Sequence, residues 1–127
     1  MKASGKGVPM KGRVCVVDHD LTSRGFLREC LEGEGLEVTM LSSGFEVQNF
    51  LNGSAPKIII LNIDTPGVRD RNLILKIQKE GKSRILLVAS ERGGAFLKDA
   101  MDLGVYGCIR KPFNVQEVCT LISHLVR

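Results

Sequence analysis

Residues 84–113 read RILLVASERGGAFLKDAMDLGVYGCIRKPF, and this stretch decides the fold. It opens on Ile85-Leu86-Leu87-Val88, apolar at every position, where a strand with one wet face would alternate. Phe96, Leu97, Ala100, Met101 and Leu103 then recur at helical spacing and stop at Gly104, a residue suited to ending a helix. A second short apolar run, Tyr106–Ile109, follows. Two strand-length runs joined by a helix form a strand–helix–strand unit, so the strands are parallel and the crossover right-handed.

The same alternation reaches back to the start of the chain. Strand-length runs lie at Arg13–Asp18, Leu36–Leu41, Lys57–Asn62 and Arg84–Ala89, and Ile58-Ile59-Ile60-Leu61 is again apolar throughout. Phe26, Leu27, Cys30 and Leu31 share one face of a first helix, weakened by Gly25. Val47, Phe50 and Leu51 mark a second. Leu73, Ile74 and Ile77, with Leu75 less well placed, mark a third that ends at Gly81. Val115, Val118, Leu121, Ile122 and Leu125 give the cleanest apolar face, with Asn114 placed to cap its start. Five such units predict a three-layer, doubly wound α/β domain over residues 13–127, preceded by a basic tail over residues 1–12.

Composition agrees with one globular domain. The chain has 127 residues, 43% of them hydrophobic and 25% charged, and lacks any apolar run long enough to span a bilayer. Val14–Val17 is too short for the core of a secretion signal, so the expected compartment is the cytoplasm. The net charge of +4 comes from Lys2, Lys6, Lys11 and Arg13, which leaves the rest of the chain with equal numbers of acids and bases. Such a tail could touch nucleic acid or a membrane surface; the simpler expectation is a solvated segment. Within the domain the first third is acidic and the middle basic, a polarity suited to docking a protein partner. Cys15, Cys30, Cys108 and Cys119 have no C-x-x-C spacing and read as buried, reduced thiols.

In open α/β sheets, ligands sit beyond the carboxyl ends of the strands. Here those ends carry Asp18, His19 and Asp20 after the first strand, Asn62 to Gly67 after the third, Ala89 and Ser90 after the fourth, and Lys111-Pro112 after the fifth. Taken with Val16-Val17-Asp18, Leu61-Asn62-Ile63-Asp64-Thr65-Pro66-Gly67 and the order of residues 84–113, these segments resemble the receiver domain of bacterial response regulators. The resemblance runs from Arg13 onward. It implies a five-stranded flavodoxin-like sheet in the order 2-1-3-4-5 with five helices, and a non-enzymatic role in two-component phosphorelay signalling.

The resemblance also implies a chemistry: an Asp ending the third strand accepts a phosphoryl group. Two acids after the first strand hold Mg²⁺, a Ser or Thr after the fourth binds the phosphoryl group, and a Lys neutralises it. Three positions depart. Asn62 stands at the acceptor place, and an amide has no anionic oxygen with which to form an acyl phosphate. His19 replaces the second acid with a nitrogen ligand that suits Mg²⁺ poorly. Ala89 stands where the hydroxyl belongs. Asp18 and Lys111 remain and are expected to pair with each other. Asp18 with Asp20 could hold Mg²⁺ only weakly, and three adjacent residues rarely converge on one metal, so His19 reads as a loop histidine. Asp64 is the alternative acceptor, two residues beyond the strand end. The Lys111-Pro112 bond is expected to be cis. The expected function is a protein-binding receiver that is not phosphorylated. Its partners would be a histidine kinase, an output domain or a second copy docked through the fourth and fifth helices.

Overall fold

The computed structural model describes residues 12–53, 55–90 and 94–126. Strands β1 (Gly12–Val17), β2 (Leu36–Leu41), β3 (Ile58–Asn62), β4 (Arg84–Ala89) and β5 (Gly107–Arg110) alternate with helices α1 (Leu21–Gly33), α2 (Val47–Asn52), α3 (Arg71–Glu80), α4 (Gly94–Asp102) and α5 (Val115–Leu125). A 3₁₀ turn, Gly44–Glu46, leads into α2. The sheet order is β2-β1-β3-β4-β5 and every pairing is parallel. This is the topology that strict strand–helix alternation and the receiver resemblance imply. The expected basic tail lies outside the described residues, Gly12 excepted.

Side chains along each inner strand point alternately to two cores. Cys15, Val17, Ile59, Leu61, Ile85 and Leu87 pack against α2, α3 and α4 through Val47, Ile74, Ile77 and Ala100. Val14, Val16, Ile58, Ile60, Leu86 and Val88 pack against α1 and α5 through Leu27, Leu31, Val118 and Ile122. Burial on both faces explains why β3 and β4 read as unbroken apolar runs. Three helices start on side-chain caps: Asp20 accepts from the Thr22 N–H, Asp70 from Asn72 and Asn114 from Glu117. At the other end of α3, Gly81 takes the left-handed conformation (φ 74°) that closes a helix.

Some expected core positions are exposed. Leu75, Met101 and Val115 are 40%, 43% and 57% exposed. Each stands beside the buried stripe of its helix: Leu75 between Ile74 and Lys76, Met101 after Ala100, Val115 in the first turn of α5. The cysteines likewise divide. Cys15 is buried, whereas Cys30, Cys108 and Cys119 are only half-buried. β5 is also displaced by one residue from the expected run, leaving Tyr106 exposed just ahead of it.

The register aligns the strand ends. Val17 pairs with Leu61, Asn62 with Val88 and Ala89 with Arg110. Backbone ladders continue one residue past the strands: the Asp18 N–H donates to the Leu41 carbonyl (3.0 Å), Ile63 to Val88 (2.9 Å) and Lys111 to Ala89 (2.9 Å). The chemistry-bearing residues are therefore carried into one crevice by the sheet itself.

Candidate functional site

Asp18 and Asn62 form the floor of this crevice, and both are buried. The Asn62 Nδ2 donates to Asp18 Oδ1 at 2.9 Å, and Asn62 Oδ1 accepts from the Asp64 N–H at 3.0 Å. Both ends of the amide are thus engaged. Asp18 Oδ1 also accepts from the Asp20 N–H at 2.9 Å. Asp18 Oδ2 is buried and has no hydrogen-bond partner among the described residues.

Lys111 does not pair with Asp18 as expected. Its Nζ donates to Asp20 Oδ2 at 3.2 Å and lies 5.9 Å from the Phe113 ring centroid. Asp20 stands at the partly exposed start of α1, where the ion pair keeps some water. Asp20 also accepts from the Ser23 hydroxyl (3.0 Å) and the Thr22 N–H (3.2 Å). The Ser23 hydroxyl, then the Lys111 ammonium, hold its carboxyl below the usual range.

Asp64 is engaged at both oxygens as well. Oδ1 accepts from the Arg69 guanidinium at 2.9 Å and Oδ2 from the Ser90 hydroxyl at 2.9 Å. Partial burial pushes the Asp64 carboxyl up, but Ser90 and Arg69 outweigh it and leave the group below the usual range. Arg69 Nε also donates to the Ile63 carbonyl at 3.0 Å. Asp64 therefore staples the loop after β3 to the loop after β4. His19 is exposed, yet its N–H donates to Thr65 Oγ1 (3.2 Å) and its Nδ1 lies 2.9 Å from the same oxygen. Ala89 is fully buried and brings no hydroxyl to the end of β4. The Lys111-Pro112 bond is cis, as expected.

These contacts bear on Mg²⁺, the ion the fold would suggest. It demands near-octahedral oxygen ligands, several of them waters, held by one or two carboxylates. Asp18 offers one unengaged oxygen. Asp20 is committed to the α1 cap and to an ammonium, and the neighbouring position carries an imidazole bonded to Thr65. No group of three or more His, Cys, Asp or Glu side chains that could hold a metal occurs among the described residues. Asp18 and Asp20 are the two carboxylates that would hold the ion, with an imidazole between them where an oxygen ligand would serve it better.

The family model for the response regulator receiver domain matches residues 14–123. The chain belongs to the response-regulator receiver family. This receiver is 26% identical over 117 residues to the DNA-binding transcriptional regulator NtrC of Escherichia coli (strain K12), a match covering 91% of this chain and 25% of NtrC. It is 25% identical over 115 residues to the CpxR homolog of Haemophilus influenzae, covering 91% of this chain and 50% of that protein. The receiver thus spans from a quarter to half the length of these relatives. Among solved structures, full-length FixJ from B. japonicum superposes with a TM-score of 0.81 at 23% identity, covering 94% of this chain and 59% of FixJ. A response regulator from Thermotoga maritima gives 0.78 at 19% identity, covering 90% and 96% of the respective chains. These two likenesses carry the fold. No helix among the described residues is long and apolar enough to cross a membrane.

Asp18, His19, Asp20, Asn62, Asp64, Ser90 and Lys111 converge as the strand ends imply. Arg69, Ser23 and Arg24 were not legible as site residues, and Thr65 was legible only as a member of the loop after β3. Arg24 donates to the Asp18 carbonyl (3.0 Å) and to Ser42 (2.9 Å), which ties the first loop to the end of β2. The Asp20–Thr22–Ser23 cluster at a helix start was the one available signal. The bond between His19 and Thr65 crosses 46 residues and leaves no trace in local spacing.

Proposed function

We propose that this receiver is a phosphorylation-independent protein-binding module of two-component signalling. The observation that carries the reading is the Asn62 amide, which occupies the acceptor position and is held at both ends by Asp18 and the Asp64 backbone. A neutral amide offers no anionic oxygen to a phosphoryl group. Asp64 is a poor substitute, because Arg69 and Ser90 occupy both its oxygens and hold it in a staple between loops. A nucleophile must be free and aimed at its activating groups. With no phosphoryl group to bias two states, regulation falls to partner binding, abundance or another ligand.

The partner would be a histidine kinase, an output domain or a second copy of the chain. The outer side of α5 suits docking: exposed Tyr106, just ahead of β5, borders a groove with Asn114, Glu117, Thr120 and Leu121 of the α5 region. Aromatic residues at such edges supply large contact area.

Incubation with acetyl phosphate, or beryllofluoride with Mg²⁺, tests the reading. Intact mass and amide NMR spectra are expected to stay unchanged. A stoichiometric mass gain mapped to Asp64 would establish the alternative, a receiver with a non-standard acceptor. Rebuilding the chemistry is the complementary test. Asn62→Asp alone is expected to restore little, whereas Asn62→Asp with His19→Asp and Ala89→Thr regains Mg²⁺ binding and phosphorylation. Equal performance of the single and triple variants would overturn this account of the positions.

A further inference from the structure

The seam between α1 and α5 is built from paired side chains at successive turns. Phe26 stacks on Phe113 with ring centroids 4.8 Å apart and planes 9° from parallel. Two turns further along, the Ser123 hydroxyl donates to Glu34 Oε1 at 3.0 Å. Between these fixed points Cys30 and Cys119 bring their Sγ atoms to 3.7 Å, although 89 residues separate them in the chain. Phe26 and Cys30 follow at i, i+4 along one side of α1, with Glu34 at its C-cap, and Cys119 and Ser123 follow at the same spacing on α5, so the two thiols face each other.

We propose that Cys30 and Cys119 are a modification site: they close into a reversible intramolecular disulfide that clamps α1 to α5. Both side chains are half-buried, so reagents reach them from solvent while the flanking pairs hold the helices in place. A disulfide needs the sulfurs about 2.0 Å apart, so closure requires the two Sγ atoms to move together from their 3.7 Å contact. The oxidant is a small-molecule disulfide. One of the two cysteines attacks one of its sulfurs, forming a mixed disulfide and releasing one thiol. The other cysteine then attacks the protein-bound sulfur, closing the protein disulfide and releasing the second thiol. Two protein thiols are oxidised, one external disulfide is reduced to two thiols, and the two protons that the attacking thiols give up are taken up, through solvent, by the departing thiolates. Burial, then the contact with Cys119, pushes the Cys30 thiol up to about 12.

The other two cysteines are unsuited. Cys15 is fully buried between sheet and helices, and burial pushes its thiol up to about 12. Cys108 has the Ile109 carbonyl, not a sulfur, as its contact (3.8 Å). The clamp also reaches the crevice, because Phe113 at one end of the seam lies 5.9 Å from the Lys111 ammonium.

The test treats the whole purified chain with oxidised glutathione, then alkylates free thiols and maps peptides. The expected product is a monomer lighter by two hydrogens, with a linked peptide pair holding Cys30 and Cys119. Dithiothreitol should reverse it, and Tm should rise by more than about 5 °C. Cys30→Ser and Cys119→Ser should each lose the link, while Cys108→Ser keeps it. A stable glutathione adduct without closure, links through Cys15 or Cys108, or links only between chains would overturn the proposal. The wild-type map decides the matter even if a variant folds poorly.

Discussion

Asn62 sets the character of the crevice through two hydrogen bonds and a missing charge. An Asn62→Asp substitution removes the donor to Asp18 Oδ1 and sets a second carboxylate at the same 2.9 Å contact. We expect it to cost about 1–3 kcal/mol of stability in urea denaturation at neutral pH. Adding Asp18→Asn should recover much of that loss by restoring one donor to the pair; an unchanged midpoint in the double variant would show the contact to be unimportant. Asp20 and Asp64 predict the acid behaviour. Both carboxyls lie below their ordinary values in the folded chain, so between the two values the unfolded chain binds more protons. Their stabilisation is fully present above the ordinary carboxylate pKa and fades as pH falls through the lowered values. Asp20→Asn and Asp64→Asn should therefore each flatten the fall of Tm with acidification while changing its neutral value modestly. At this scale the identities at strand ends were legible in the sequence, but the partners were not. Lys111 pairs with Asp20 rather than Asp18, a choice that the spacing of the motif does not reveal.

The elements followed their periodicity closely, and the departures came at edges. α5 shows both sides of this: Val118, Ile122 and Leu125 are buried as its spacing implies, while Val115 is exposed in the first turn. Asn114→Ala removes the cap on the Glu117 N–H and should cost about 1 kcal/mol by thermal denaturation. The 3₁₀ turn before α2 carries a sharper constraint. The Gly44 N–H donates to the Pro66 carbonyl at 2.8 Å, and a Cβ there would collide with the backbone of Gly67. Gly44→Ala must separate the two loops and is expected to destabilise by about 1–3 kcal/mol, whereas Gly53→Ala, with open space around it, should cost far less. Equal effects in a chemical denaturation series would contradict this close approach. Nothing in the local sequence announces it, since the two glycines meet only after the loops following β2 and β3 come together.

Across the whole molecule the sheet separates two cores that share strands but not helices. Ile77 of α3 and Ile122 of α5 are both fully buried, on opposite sides. Each truncation to Ala should cost about 2–5 kcal/mol. The double variant should cost their sum within about 0.5 kcal/mol, checked by chemical denaturation, because the two residues share no contacts. A large coupling would mean that strain passes through the sheet and that the layers are not independent.

Strand–helix alternation, the unbroken apolar runs of β3 and β4 and the residues at the strand ends are properties of the chain read locally. They determined the α/β class, the parallel sheet and the composition of the crevice, because burial on both faces demands continuous apolar side chains. The pairing of Lys111 with Asp20, the Asp64 staple, the His19–Thr65 contact and the meeting of Cys30 with Cys119 were decided only by tertiary structure. Each joins residues distant in sequence, and which partner wins depends on helix placement over the sheet, which no local pattern encodes.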